Sequence, residues 1–226
     1  KMKKSVFKIL NLVAFSIVTL ALINCGSDEP DIIISQPTSP VIENLQSGIM
    51  NGNLEESFTL NSNTIYNLNA SFIVESGATL TIPAGTRIQA ANGGTSVYIA
   101  ILKGGKIDVQ GTSSNPVFMT SASGNQGDWG GLTICGDATT TAGSNAEAEV
   151  GGFVYGGSND EDNPGAINYL IIKGTGAQIN ADSQYNGVSL YAVGSGTTIS
   201  NVAVLNGSDD GIEFFGGTVS ASNLYL

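Results

Sequence analysis

The chain has 226 residues, with 19 acidic side chains against 8 basic ones, no histidine, and a formal net charge of −11. Without an imidazole, Ser-His-Asp and Cys-His catalysis are excluded, and a catalytic zinc centre is disfavoured. The acidity repels phosphate backbones, which argues against nucleic acid as a partner.

Lys1, Lys3, Lys4 and Lys8 precede a nearly unbroken apolar run from Ile9 to Ile23. A basic flank before a short apolar segment is the layout of a secretory signal. The run falls short of the ~20 apolar residues that a bilayer span needs; a buried core helix is the alternative. Leu22-Ile23-Asn24-Cys25 resembles the lipobox of bacterial lipoproteins, although Ile23 and Asn24 depart from the small residues usual there. The resemblance implies a signal peptide over residues 1–24 and acylation of Cys25, which would become the mature N-terminus. The expected location is then the outer membrane, exposed at the cell surface, with membrane lipid as a partner. Each buried methylene of such chains contributes ~0.8 kcal/mol, so two or more chains anchor stably. Otherwise Cys25 is a free or disulfide-bonded thiol. Asp28, Glu29 and Asp31 either resemble the acidic surface-export tag of some lipoproteins or are a solvated linker.

With residues 1–24 removed, Arg87, Lys103, Lys106 and Lys173 stand against nineteen acids. Cys135 then has no partner for a disulfide, and its apolar setting reads as that of a small buried filler. Residues 25–54 read as a tether, because Pro30, Pro37, Pro40 and several serines favour an extended, unpacked segment. Ile32–Ile34 form an apolar patch within it, either a strand or a contact for a partner.

Residues 55–226 have a different texture. Runs of four to eight residues, such as "KIDVQ", "GLTIC", "INYLIIKG" and "TISNVAVL", are bounded by Gly, Asn or Asp. These are strand and turn signals without a helical period. Gly131-Leu132-Thr133-Ile134, Gly187-Val188-Ser189-Leu190 and Gly211-Ile212-Glu213-Phe214 share one pattern of glycine, apolar, polar, apolar. "TISNVAVL" and "TVSASNLYL" match as well, with one residue inserted. Recurring short strands at coil-length spacing predict an all-β solenoid, a parallel β-helix of ~6–7 coils. Alternation predicts Leu132, Ile134, Val188, Leu190, Ile212 and Phe214 inside, and Thr133, Ser189 and Glu213 facing water. An antiparallel sandwich or barrel is the competing fold.

The ordered series "GATLTIPAGTRIQA", "GGKIDVQGTSSNPVFMTS", "GDWGGLTICGDA", "YGGSNDEDNPGAINYLIIKGTG" and "NGVSLYAVGSGTTISNVAVLNGSDDGIEFFGGTV" resembles bacterial surface or secreted right-handed parallel β-helix proteins, a repeat group mostly without assigned activity. Members usually run on past this point, so the resemblance implies further coils after Leu226.

Three places carry candidate chemistry. Asn159, Asp160, Asp162 and their neighbours offer hard oxygen ligands for Ca²⁺, or form a solvated loop. Asp209 and Asp210 resemble one motif of polygalacturonase-type glycosidases, without the histidine and Arg-x-Lys that accompany it there. Adjacent residues on a strand point to opposite faces, so a corner cap and a cation ligand is the preferred reading. A lyase mechanism would need Ca²⁺ and one of the four basic residues. Trp129 and Tyr155, with Tyr185 and Tyr191, are either a sugar-stacking platform or ordinary packing, and packing is the preferred reading. The whole reads as a lipid-anchored β-solenoid that binds, adheres or supports, with polysaccharide as a ligand. The alternatives are a lyase or glycoside hydrolase of the β-helix type, and an accessory lipoprotein docked on an outer-membrane protein.

Overall fold

The computed structural model describes residues 39–226. The signal peptide, Cys25 and Ile32–Ile34 lie outside the described residues. Parallel strands stack in three faces. The first contains 65–68, Arg87–Ala90, Val117–Ser121, 170–173 and 202–205. The second contains 72–74, Ile99–Ile101, Leu132–Cys135, Val188–Val193 and Ile212–Gly217. The third contains Phe58–Thr59, Thr79–Pro83, Lys106–Gln110, 165–168, 198–200 and 220–222. The chain visits the faces in this order, turn after turn, which is a parallel β-helix. Among the described residues, all strands but those of one hairpin join a single 14-stranded sheet, and the antiparallel alternative is excluded.

The shared glycine motif is in register. Val188 lies opposite both Leu132 and Ile212, and Leu190 opposite both Ile134 and Phe214. The second matched pair is offset, because Thr198 lies opposite Ser220 rather than Thr218. The extra length falls in the turn after Gly217, and Asn201 and Asn223 then occupy the same corner.

Alternation sends every second side chain into a common interior. Tyr66, Ile88, Met119, Ile172 and Val204 make one buried row on the first face. Leu54, Val74, Ile101, Ile134 and Leu190 make another on the second. Each such side chain contributes roughly 1.5–3 kcal/mol, and only stacking makes that burial available. Phe214 continues the second row but is 47% exposed, since no later turn covers it among the described residues.

Two expectations are corrected. Residues 40–54 are packed and not part of a loose tether. Pro40–Gln46 is a helix with Pro at its first turn, where the missing N–H costs nothing. Its Ile42 and Leu45 are buried against the core, and Ile49–Leu54 pairs in parallel with Ile65–Val74. The helix therefore covers the apolar end of the first turn. Thr133 and Ser189 do point away from the interior, yet both are 1% exposed. The segments between Cys135 and Gly165 and between Lys173 and Val188 fold over the second face and bury it. Their Ala148, Val150, Tyr155, Ala177 and Tyr185 form a second apolar cluster with Cys135 and Tyr191.

Candidate functional site

Among the described residues, the outer surface of the third face has no such cover. Two rows run along its axis. Thr59, Thr81, Asp108, Ala166, Thr198 and Ser220 form one, and Gln110, Asn168, Ser200 and Ser222 form the other. Successive strands of a sheet lie ≈ 4.7–4.9 Å apart, so the first row presents hydroxyls and the Asp108 carboxylate, interrupted at Ala166, and the second presents amides and hydroxyls. These residue types are where they are because strand alternation leaves them facing solvent while Leu80, Ile82, Ile107, Val109 and Ile167 fill the interior.

A groove of about 330 Å³ opens at the edge of this face, lined by Thr79, Lys106, Asp108, Asn163, Gly165 and Thr198. These residues come from four different turns. Gly165 sets the depth: at φ 124° a Cβ there would meet the Ile107 carbonyl oxygen at 1.8 Å, so no side chain can fill the floor. Gln110 Nε2 donates to Asp108 Oδ2 at 2.7 Å and fixes that carboxylate at the groove. Lys106 makes no ion pair or side-chain hydrogen bond among the described residues. Lys103 differs, because its ammonium bridges Asp137 Oδ1 at 2.9 Å and donates to the Gly156 carbonyl at 3.0 Å. One lysine is part of the scaffold and the other is available in the groove.

The acidic loop borders this groove, but two of its carboxylates, Asp160 and Asp162, are engaged by Thr139 and Asp137. Asp160 Oδ1 accepts from Thr139 N at 2.9 Å and Thr139 Oγ1 at 2.6 Å. These bonds from Thr139 hold the Asp160 carboxyl below its usual range. Asp162 Oδ2 accepts from Asp137 N at 2.8 Å. The Asp160 carbonyl accepts from Ser195 N at 2.9 Å, and Asn159 N donates to the Asp137 carbonyl. The loop thus fastens one turn to the next, and only Asn163 faces the groove. Asp209 and Asp210 sit elsewhere: the Asp210 carbonyl accepts from Gly187 N at 2.9 Å, at the opposite end of strand Val188–Val193. The two candidate cation places, Asn159, Asp160 and Asp162 in one and Asp209 and Asp210 in the other, therefore lie at opposite ends of that strand, and no group of three or more Cys, Asp or Glu suited to a metal ion occurs among the described residues.

Neither candidate stacking residue is available at the surface. Trp129 is fully buried, and its Nε1 donates to the Lys173 carbonyl at 2.9 Å. Tyr155 is buried with its ring 5.0 Å from that of Tyr191. Packing is the correct reading for both. Cys135 is buried beside them, and burial pushes its thiol up to about 12.

Glu213 has the spacing of an ordinary outward residue. It accepts from Asn186 Nδ2 at 2.7 Å. Burial pushes its carboxyl up, the Asn186 bond opposes this, and Asp210, Glu149 and Asp209 add to the rise. Asp209 and Asp210 therefore act on a neighbour's charge. No sequence signal pointed to Glu213, since its spacing in the glycine motif is that of any outward residue.

Residues 52–226 match the model of the family described as pectate-lyase-like β-helix domain. The chain belongs to that family. The matched span takes in all three faces, the groove and both covering segments of the second face. No curated protein matches the chain, and no solved structure matches it.

Proposed function

We propose that this β-helix is a glycan-binding module held at the cell surface by acylated Cys25. The observation that carries the binding role is the uncovered groove of the third face, in which an unpaired Lys106 stands among Thr79, Thr198, Asn163 and Asp108. A mostly pre-formed cleft with a few converging polar groups is the usual form of a small-ligand site. Hydroxyls and amides in rows suit a polymer of hydroxylated rings lying along the face. Lys106 adds a donor for a carboxylate-bearing sugar, in a chain too acidic to attract polyanions generally. The family description agrees with an acidic polysaccharide as the ligand. The lipobox resemblance supports the anchor, and digestion of intact cells with a protease would test surface exposure.

Titration of the full chain with an acidic and neutral oligosaccharide panel tests the binding role. A charge-assisted hydrogen bond contributes ~1.5–3 kcal/mol, so Lys106→Ala should weaken the acidic ligand by roughly tenfold or more. No binding by any acidic oligosaccharide, or equal binding by the variant, would count against the groove. Cleavage is the second reading, favoured by Lys106 and Asp108 facing the same groove. Release of new chain ends that disappears in Lys106→Ala would replace the module by an enzyme.

A further inference from the structure

The outer surface of the first face carries a row in which each residue lies opposite the next: Ile65, Arg87, Phe118, Ile171, Ala203 and Tyr225. The upper part of the row is filled, with the Arg87 guanidinium 4.6 Å from the Phe118 ring centroid. Where Ala203 follows Ile171 the row drops, and a cavity of about 240 Å³ opens beside Tyr225. Tyr225 is 69% exposed. It belongs to an outward row, so its ring faces solvent by strand alternation and not because an interior position lacks a neighbour.

The corner behind this cavity is unusual. Tyr169, Asn201 and Asn223 occupy equivalent places in successive turns, with φ of 48°, 57° and 53°. Asparagine adopts this left-handed conformation readily, whereas for a bulky residue it is an outlier. Strain of this kind clusters at ligand sites, and Tyr169 is among the residues that line the cavity. The two asparagines form a ladder, Asn201 Nδ2 donating to Asn168 Oδ1 at 2.8 Å and Asn223 Nδ2 to Asn201 Oδ1 at 3.1 Å. Among the described residues, no charged residue lines the cavity.

We infer that this cavity is a subsite for a neutral pyranose, its apolar face stacked on the tyrosine rings and its hydroxyls bonded to the corner amides. An aromatic ring offers a flat apolar surface with a polar tip, which matches a sugar ring with hydroxyls at its rim. The inference rests on the glycan reading above, but assigns a chemically different sugar to a different face. It makes the corner between the third and first faces a second contact zone, separate from the Lys106 groove.

The test is calorimetric titration of the full chain with neutral oligomers of glucose, galactose, mannose and xylose, and with an oligogalacturonate. At least one neutral oligomer is expected to bind, with Tyr225→Ala weaker by tenfold or more and Tyr225→Phe close to the parent. Tyr169→Asn is also expected to weaken it; this variant carries the residue that the next two turns hold at the same corner, so the fold is preserved. Lys106→Ala should leave the neutral ligand unaffected. Neutral binding that survives both Tyr225→Ala and Tyr169→Asn would overturn the subsite. Binding of oligogalacturonate alone would remove the subsite and leave the Lys106 groove standing. Binding of no member would remove both.

Discussion

The second and third faces of this β-helix are built from the same alternation and end with opposite surfaces. On the third face, outward residues such as Thr81, Thr198 and Ser200 meet solvent. On the second, the equivalent Thr133 and Ser189 lie beneath two inserted segments, among Cys135, Tyr191 and Tyr155. The comparison teaches that strand pattern decides which side chains leave the interior, while insertions decide whether those side chains ever reach water. Of these two, only the bare face can offer polar groups to a large ligand. The covered face spends its polar groups internally, and some have no partner: Thr133 Oγ1 and Tyr191 OH are buried without a hydrogen bond.

The contrast is most strongly exposed by Trp129, at the turn leading onto the covered face. Trp129→Ala removes a fully buried ring and the bond to the Lys173 carbonyl. Core Trp→Ala changes cost ~3–5 kcal/mol, and urea unfolding should show a loss of that size. Lys106→Ala on the bare face should stay within ~0.5 kcal/mol of the parent. A matched pair of threonines gives a finer comparison. Thr133→Val replaces an unpartnered buried hydroxyl by a methyl, and should stabilise by about 1 kcal/mol. Thr81→Val exposes a methyl to water and should be near neutral. Equal effects in the pair would mean that the cover does not exclude water.

The smallest effect concerns Glu213 and depends on pH. Its carboxyl is held above the usual range, so the folded state favours the protonated form. That contribution is fully present below the unfolded carboxyl value and is lost as pH rises through the folded one. Glu213→Gln keeps an acceptor for Asn186 and removes the charge. At pH 7 the variant should be more stable by less than about 1 kcal/mol. The difference should vanish in melting experiments run below the carboxylate range. A gain that persists in acid would assign the effect to packing instead.

Much of the fold was legible because stacking leaves a local signature. Glycine, apolar, polar, apolar recurs at residues 131, 187 and 211, and those three strands are direct neighbours. The helix Pro40–Gln46 was hidden by its own composition, since prolines and serines that suggest an open tether also begin a short capping helix. The groove was not legible. Thr79, Lys106, Asn163 and Thr198 are far apart in sequence, and only the register between turns brings them together. The spacing between turns is irregular because of the long insertions, so no periodic rule could supply that register. The acidic loop was conspicuous in sequence for its charge, yet its Asp160 and Asp162 are consumed by Thr139 and Asp137. Tyr169 gave no signal at all, because a left-handed backbone at a tyrosine has no mark in composition.

The most direct measurement is a lysine-acetylation footprint of the full chain, with and without the panel glycan that binds most tightly. Lys103 is an internal control, tied to Asp137 and to the Gly156 carbonyl. Lys106 should become protected at saturating acidic glycan while Lys103 and Lys173 react unchanged. Lys106 labelled equally with and without ligand, or protection at Lys103 instead, would contradict a binding surface on the bare third face.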